Sequence, residues 1–318
     1  MTKFHLKIFL IAATLPFLIG CSPKSLCELA LQPKMLAQTH EKTIEMQETR
    51  YPGINAWYDS LYLNGTFRDT VITGEGSKKI HAIYAGEPSN KGTALIIHGY
   101  GVDSYAMIHF ARVYRDSLGF NVILPDLQHH GQSEGDVVQM GWFDRLDAKR
   151  WVNVACDLWQ NDFMVVHGVS MGAATTMMLS GEPDLPECVR AFVEDCGYSS
   201  VWDEFDYLRK KLLVSDRLMQ RTSEYCEKTY GWNFKEASSV NQLAKCSKPM
   251  IFIHGEEDTF VPSKFAYKCY DAKTQGYKEL WIVSNTPTHA LSFHDHQADY
   301  MTHLKTFLEK ARQEGDSK

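Results

Sequence analysis

The chain has no excess of basic residues. Its 318 residues include 33 Lys and Arg against 39 Asp and Glu, which gives a formal net charge of −6. A nucleic-acid-binding surface needs clustered positive charge, so nucleic acid is excluded as an expected partner. The sequence also lacks long runs of like charge, low-complexity segments and internal repeats. With 44% hydrophobic and 23% charged residues, it has the composition of a globular catalytic or binding domain.

No apolar run is long enough for an ordinary membrane-spanning helix. The longest, Ile8 to Ile19, is shorter than the roughly 20 residues that a bilayer requires. It follows Lys3 and Lys7, and this order of a basic start and a short apolar stretch predicts an export signal over residues 1–20. The ending Leu18-Ile19-Gly20-Cys21 resembles a bacterial lipobox, which implies cleavage before Cys21 and lipidation of its sulfur. We expect an exported protein held by this anchor at a bacterial membrane, in the periplasm or at the cell surface. The alternative is an ordinary signal peptide with a coincidental cysteine.

The eight cysteines show no paired C-x-x-C spacing, so a zinc site is not expected. Without Cys21 seven remain, and an odd number leaves at least one free. Three lie in or beside apolar runs and are predicted to be buried packing residues: Cys156, Cys188 and Cys196. Three others are candidates for disulfide bridges: Cys226, Cys246 and Cys269. No metal and no organic cofactor is predicted.

The pattern of the chain changes near Thr66. Residues 21–65 contain prolines and short helical patterns, which predict a tether and an N-terminal helical lead-in. From Thr66 two alternating segments, Phe67–Ile72 and Lys79–Tyr84, are separated by glycines and predict a hairpin. We expect the catalytic domain to occupy residues 66–318.

Six short runs in this domain are apolar on both faces, as in the central strands of a covered parallel sheet. They are residues 94–97, 122–124, 163–166, 191–193, 250–253 and 280–283. Helical patterns lie between them, including 142–159, 171–179 and 300–310. This alternation predicts an α/β fold with a doubly wound, mostly parallel sheet. Residues of about 199–245 interrupt it with helical spacing of Trp202, Phe205, Leu208, Leu212 and Leu213, which predicts a helical cap. The cap's aromatic residues either line a substrate pocket or form the cap's own core.

One motif indicates a catalytic nucleophile. Gly168-Val169-Ser170-Met171-Gly172 follows a predicted strand and opens a predicted helix, which is the context that makes G-x-S-x-G informative. The turn is tight enough to require small residues beside the serine. Ser170 is therefore the candidate nucleophile, and it needs a neighbouring base to remove its proton.

Candidates for that base and its supporting acid follow later strands. Asp258 comes after the run 250–253, and His289 comes after the run 280–283. Both lie where open parallel sheets gather their functional groups. His294 and His296 are further along the chain and are less suitable as the base. The order serine, acid, histidine is the order of an α/β-hydrolase triad.

These segments resemble the α/β-hydrolase superfamily, in particular its exported, serine aminopeptidase-like and esterase-like members. The resemblance runs from about Thr66 to the end of the chain and rests on His98-Gly99-Tyr100-Gly101, Asp126, His130-Gly131-Gln132-Ser133, the serine motif, His254-Gly255 through Pro262, and His289. It implies that Asp258, rather than Glu256 or Glu257, is the acid. It also implies an oxyanion hole made by the backbone N–H groups of Tyr100 and Met171.

Several other polar residues have structural interpretations. Asp126 and His130 are expected to hold loops in place, and Asp144 and Asp147 to complement a helix dipole. Asp195 either contacts substrate or makes a structural hydrogen bond, and the ring of Tyr100 either shapes the acyl pocket or packs.

The sequence therefore predicts a serine hydrolase that cleaves a carboxylic ester through an acyl-enzyme. An aminopeptidase or amidase with the same residues is the alternative within enzymes, acting on a short peptide or amide. The alternative outside enzymes is a lipoprotein that uses a hydrolase scaffold only to bind.

Overall fold

Eight strands form one sheet in the order β1-β2-β4-β3-β5-β6-β7-β8. The computed structural model describes residues 22–32 and 38–316. The strands are β1 (Arg68–Thr73), β2 (Lys79–Ala85), β3 (Thr93–Ile97), β4 (Asn121–Pro125), β5 (Met164–Val169), β6 (Val189–Asp195), β7 (Met250–Gly255) and β8 (Lys278–Val283). β1 and β2 form the predicted antiparallel hairpin, and β2 is also antiparallel to β4. The remaining neighbours are parallel, so the predicted mostly parallel sheet is confirmed.

Helices precede the sheet and connect its strands. They are α1 (Pro23–Leu31), α2 (His40–Arg50), α3 (Ile54–Leu63), α4 (Ile108–Arg112), α5 (Asp144–Trp159), α6 (Met171–Leu179), α7 (Val201–Lys211), α8 (Asp216–Tyr230), α9 (Ser239–Leu243), α10 (Lys264–Ala272), α11 (Ser292–Asp295) and α12 (Gln297–Asp316). Among the described residues, no helix combines the length and apolar character needed to cross a bilayer.

The sheet separates two hydrophobic cores, and alternate residues of a strand enter different cores. In β3, Leu95 and Ile97 pack into the core that contains Trp151 of α5. Ala94 and Ile96 of the same strand pack into the core that contains Phe307 of α12. Successive side chains of a strand point to opposite faces, so a strand covered on both sides must be apolar at every position. This explains the continuous apolar runs of the central strands, whereas the run 280–283 lies in the edge strand β8 and is mostly half-buried.

The segment between β6 and β7 forms a cap of three helices, α7, α8 and α9. Each begins at a serine whose hydroxyl accepts a hydrogen bond from a backbone N–H of the first turn: Ser200, Ser215 and Ser238. Such caps satisfy donors that the helix itself cannot. Phe205 and Phe234 pack edge to face with ring centroids 4.9 Å apart, so these aromatic residues contribute to the cap's own core. Leu213, which the sequence places on the apolar face, is 92% exposed because α7 has already ended at Lys211.

The N-terminal helices pack on the domain. Cys27 and Leu31 of α1 are fully buried in the same core as Cys226 of α8. Ile54 and Tyr58 of α3 enter the core on the other face of the sheet. Residues 1–20 and Cys21, the predicted signal peptide and lipidation site, lie outside the described residues.

The predicted roles of five cysteines were wrong. The structure joins Cys156 and Cys188 by a disulfide, although both were expected only to pack. The three candidates for bridges, Cys226, Cys246 and Cys269, are free and buried. Cys156 lies in α5 and Cys188 directly before β6, and these elements meet because β6 pairs with β5. Spacing along the chain does not contain that information. Cys196 is buried and free, as predicted.

Candidate functional site

Ser170 occupies a strained turn between β5 and α6. Its backbone has φ 58° and ψ −117°, a region that non-glycine residues adopt rarely and mostly where function requires it. A Cβ at Gly168 would overlap the carbonyl oxygen of Gly172, and a Cβ at Gly172 would overlap that of Ile97. The two glycines are therefore required by close backbone approach. The N–H of Ser170 donates to the carbonyl of Asp195 at 2.8 Å, which fixes the turn to β6.

The structure brings the three residues of the predicted triad together. Nε2 of His289 lies 2.7 Å from Oγ of Ser170. Nδ1 of the same ring lies 2.5 Å from Oδ2 of Asp258. Ser170 and Asp258 are buried, and His289 is partly exposed. The three side chains form a continuous hydrogen-bonded series at the carboxyl edge of the parallel sheet.

The carboxylate of Asp258 is held from both sides. Its Oδ1 accepts hydrogen bonds from the N–H groups of Phe260, at 2.8 Å, and Val261, at 3.1 Å. Burial raises the pKa of Asp258, but the charge and hydrogen bond of His289, together with His254, lower the pKa by more. The net pKa lies below the usual value, so the group is ionised at neutral pH and can orient the ring of His289.

Glu256 and His294, which lie near Asp258 and His289 in the chain, have other partners. Glu256 and Glu257 are exposed, and Glu256 accepts a hydrogen bond from Ser284 at 3.0 Å. His294 pairs with Asp295 at 2.8 Å. None of these side chains belongs to the series that reaches Ser170.

The segments that carry the two predicted oxyanion donors both lie beside Ser170. Met171 is the first residue of α6, whose first N–H groups have no partner within the helix. The loop that carries Tyr100 runs beside the serine, since a Cβ at Gly99 would lie 3.3 Å from Cβ of Ser170. The hydroxyl of Tyr100 donates to the carbonyl of Ala30 at 2.7 Å. Tyr100 is thereby held against α1, which favours the packing interpretation of its ring.

Asp126 and His130 hold the surrounding loops, as predicted. Nε2 of His130 accepts from the N–H of Gly101 at 3.1 Å, which fixes the loop of Tyr100. Asp126 accepts from the N–H of Ser104 at 2.7 Å and contacts Nδ1 of His81 at 2.8 Å. Burial raises the pKa of Asp126, but its hydrogen bonds and the nearby histidines more than offset this and lower the pKa to about 2.

A buried polar network lies behind the serine turn and was not predicted. Asp195 accepts a hydrogen bond from the hydroxyl of Tyr300 at 3.0 Å, and that hydroxyl lies 3.1 Å from Nε2 of His167. Nδ1 of His167 lies 3.1 Å from the hydroxyl of Tyr114. Burial raises the pKa of Asp195 to about 7. Asp195 thus makes a structural hydrogen bond, and sequence spacing could not reveal that its partner is Tyr300.

One group of potential metal ligands overlaps the series. Sγ of Cys196 and ligand atoms of Asp258 and His289 all lie within 4.8 Å of one another. Burial raises the pKa of the Cys196 thiol well above its usual value, so the thiol stays protonated and is a poor ligand. Asp258 and His289 are already hydrogen-bonded to each other. The expectation of no metal and no cofactor stays a prediction.

Comparisons with known proteins agree with this architecture. Residues 94–228 match the family model described as the alpha/beta hydrolase fold. The Bacillus subtilis (strain 168) protein YqkD is 26% identical over 220 residues, which cover 68% of this chain and 71% of YqkD. The Pyrococcus furiosus esterase Pf2001 aligns with a TM-score of 0.62 at 20% identity and covers 78% of this chain and 92% of its own. The Pyrococcus horikoshii acylaminoacyl peptidase aligns with a TM-score of 0.55 at 17% identity, covering 79% of this chain and 43% of its own.

The chain therefore has the α/β-hydrolase fold, and the resemblance to that superfamily inferred from its sequence is confirmed. Its structural neighbours with this fold include proteins named as esterases and peptidases.

Proposed function

We propose that this protein is a serine hydrolase in which Ser170 is the nucleophile, His289 the general base and Asp258 the supporting acid. The observation that carries the proposal is the series Ser170 Oγ, His289 Nε2, His289 Nδ1 and Asp258 Oδ2, with contacts of 2.7 and 2.5 Å. A nucleophile, a base within hydrogen-bond reach and a third group that orients the base together define an activated serine.

The reaction follows from these positions. Oγ of Ser170 attacks the substrate carbonyl carbon while Nε2 of His289 takes the hydroxyl proton. The resulting oxyanion accepts hydrogen bonds from the N–H groups of Tyr100 and Met171, and each such donor is worth about 3 kcal/mol in the transition state. The tetrahedral intermediate collapses, and the leaving group departs with the proton from His289. Water then attacks the acyl-enzyme with the same base, which releases the acid and restores Ser170.

A carboxylic ester is the proposed substrate class, because ester cleavage makes the fewest demands on the site. The likeness to a protein named as an esterase supports this choice. Cleavage of an amide or short peptide is the second candidate, and the likeness to an acylaminoacyl peptidase favours it.

We further propose that the protein is exported and anchored to a bacterial membrane through a lipid on Cys21. The support is the order of basic residues, apolar stretch and cysteine in residues 1–21.

Labelling with a fluorophosphonate probe tests the central proposal. The purified protein should form one adduct, mapped by peptide mass spectrometry to Ser170. Ser170→Ala should lose labelling and reduce hydrolysis of p-nitrophenyl butyrate about 10³-fold or more. Ser60→Ala, which removes an exposed hydroxyl of α3, should do neither. A well-folded wild-type protein that is not labelled, or Ser170→Ala activity within a few-fold of wild type, would favour a scaffold that only binds.

A further inference from the structure

The first cap helix, α7, carries a buried carboxyl group without a partner. Glu204 is only 3% exposed. Neither Oε1 nor Oε2 accepts a hydrogen bond from any residue that the structure describes. Most buried polar groups in proteins are hydrogen-bonded, and burial of an unpaired carboxyl group is costly. The described part of the protein therefore supplies no hydrogen-bond donor to the buried carboxyl group of Glu204.

Glu204 faces the loop that carries Asp258. Tyr207 and Lys211 lie further along the same face of the helix. Both donate hydrogen bonds to the carbonyl of Thr259, at 3.0 and 2.6 Å. Residues three and four positions apart share a helix face, so Glu204 continues this face one turn toward the start of the helix. Thr259 directly follows Asp258, and Asp258 contacts His289. The unpartnered carboxyl group thus lies on the side of α7 that faces the loop of Asp258.

Neither of the two lysines near Glu204 pairs with its carboxyl group. Burial is the main cause that raises its pKa to about 8, and the nearby Asp258 raises the pKa further, whereas Lys211 and Lys264 lower it. Lys211 donates to a backbone carbonyl instead. The ammonium of Lys264 lies over the ring of Tyr207, 5.4 Å from its centroid. Neither lysine forms an ion pair with Glu204, so a cation brought by a ligand would be its first close counter-charge.

We propose that Glu204 binds a cationic group of the substrate, an ammonium or a guanidinium, and makes esters of amino-bearing acids the preferred substrates. The inference rests on the proposed hydrolase function and specifies its substrate class. A cationic nitrogen supplies both the N–H donors and the positive charge that the buried carboxyl group lacks. With a pKa of about 8, the carboxyl group carries a proton at pH 7 in the free protein, and a bound cation stabilises its ionised form. A neutral ester of the same length gives no such stabilisation, and an anionic ester opposes ionisation of the group. We expect a preference of about tenfold or more for the charged substrate, the usual size of a hydrogen bond to a charged group.

Matched esters test this preference. The substrates are ethyl esters of alanine, β-alanine and 6-aminohexanoate, which place the ammonium at three distances from the carbonyl, and their neutral N-acetyl forms. The ratio of kcat/KM between the charged and neutral members is measured at pH 7. In the wild type at least one pair should favour the charged ester by about tenfold or more. Glu204→Gln should reduce that ratio toward one.

Asp206→Asn is the matched control. It removes a carboxylate from the same helix, one that pairs with Arg209 and Lys210, and should leave the ratio unchanged. A second measurement needs no variant: n-hexylammonium chloride should protect Ser170 of the wild type from the fluorophosphonate probe more strongly than n-hexanol does.

The outcomes separate the two proposals. If the wild type is labelled at Ser170 and hydrolyses esters but shows no preference for charged members, the assignment of Glu204 is overturned and the hydrolase stands. The same holds if the preference persists in folded Glu204→Gln, or if n-hexanol protects as well as n-hexylammonium. If the folded protein is neither labelled nor active on any ester, the hydrolase proposal fails, and the assignment of Glu204 fails with it.

Discussion

Replacing Asp258 by Asn tests the division of roles within the triad while preserving the loop. In the structure Oδ1 accepts from the N–H groups of Phe260 and Val261, and Oδ2 contacts Nδ1 of His289. Asparagine keeps one oxygen, which can continue to bind the two backbone donors. Its amide nitrogen then faces His289 and donates where the carboxylate accepted.

This change inverts the tautomer of the imidazole. Nδ1 must accept from the new amide, so the proton moves to Nε2, and Nε2 can no longer accept the proton of Ser170. Loss of the correct tautomer, with the geometry intact, costs about 10⁴ in kcat in a well-studied triad. By transition-state arithmetic this equals about 5 kcal/mol of activation free energy. We expect a loss of this order with a small change in KM, because the buried Asp258 acts through His289 in the proposed mechanism.

The assay is hydrolysis of p-nitrophenyl butyrate, with thermal unfolding measured on the same samples. Glu257→Gln is the matched control, since it removes the neighbouring exposed carboxylate and should leave kcat within a few-fold of wild type. Asp258→Asn activity within tenfold of wild type, in a protein that unfolds at the wild-type temperature, would refute the role assigned to Asp258. A large loss in Glu257→Gln would point to the wrong acid.

Two further predictions concern stability and anchoring. Burial raises the pKa of Asp144 from 3.8 to about 7, so the folded state keeps a proton that the unfolded state loses near pH 4. The free energy of unfolding therefore falls as pH rises from about 4 to 7, by up to about 4 kcal/mol. Asp144→Asn should flatten the decline of Tm across this range; parallel profiles for variant and wild type would contradict this. Cys21→Ser should abolish incorporation of labelled palmitate in an expressing bacterium, and retained label would exclude Cys21 as the lipidation site.

The sheet and the turn of Ser170 could be predicted because both follow from local chemistry. A strand buried on two faces must be apolar throughout, and β3, with Leu95 and Ile96 in opposite cores, shows why. A nucleophile at a strand-to-helix turn needs glycines beside it, as Gly168 and Gly172 show. These requirements act within a few residues and are visible in one sequence.

The features that were missed depend on which elements meet in space. The disulfide of Cys156 and Cys188 requires α5 and the start of β6 to be neighbours. The hydrogen bond of Tyr300 to Asp195 joins residues 105 positions apart. The burial of Glu204 was not predicted, because a glutamate on a polar, charged helix is normally exposed. Its burial depends on how α7 lies over the loop of Asp258, which helical periodicity does not determine.

The first described helix, α1, is fastened to both the cap and the loop that carries Tyr100. α1 shares a buried core with the cap helix α8 through Cys27 and Cys226. Its Ala30 carbonyl accepts from Tyr100, and its Leu31 carbonyl accepts from the N–H of Val138. The cap therefore cannot move away from the loop of Tyr100 without unpacking α1. Because α1 begins at Pro23, tension applied to the chain at Ser22 would reach the cap and the loop of Tyr100 before it reached the sheet.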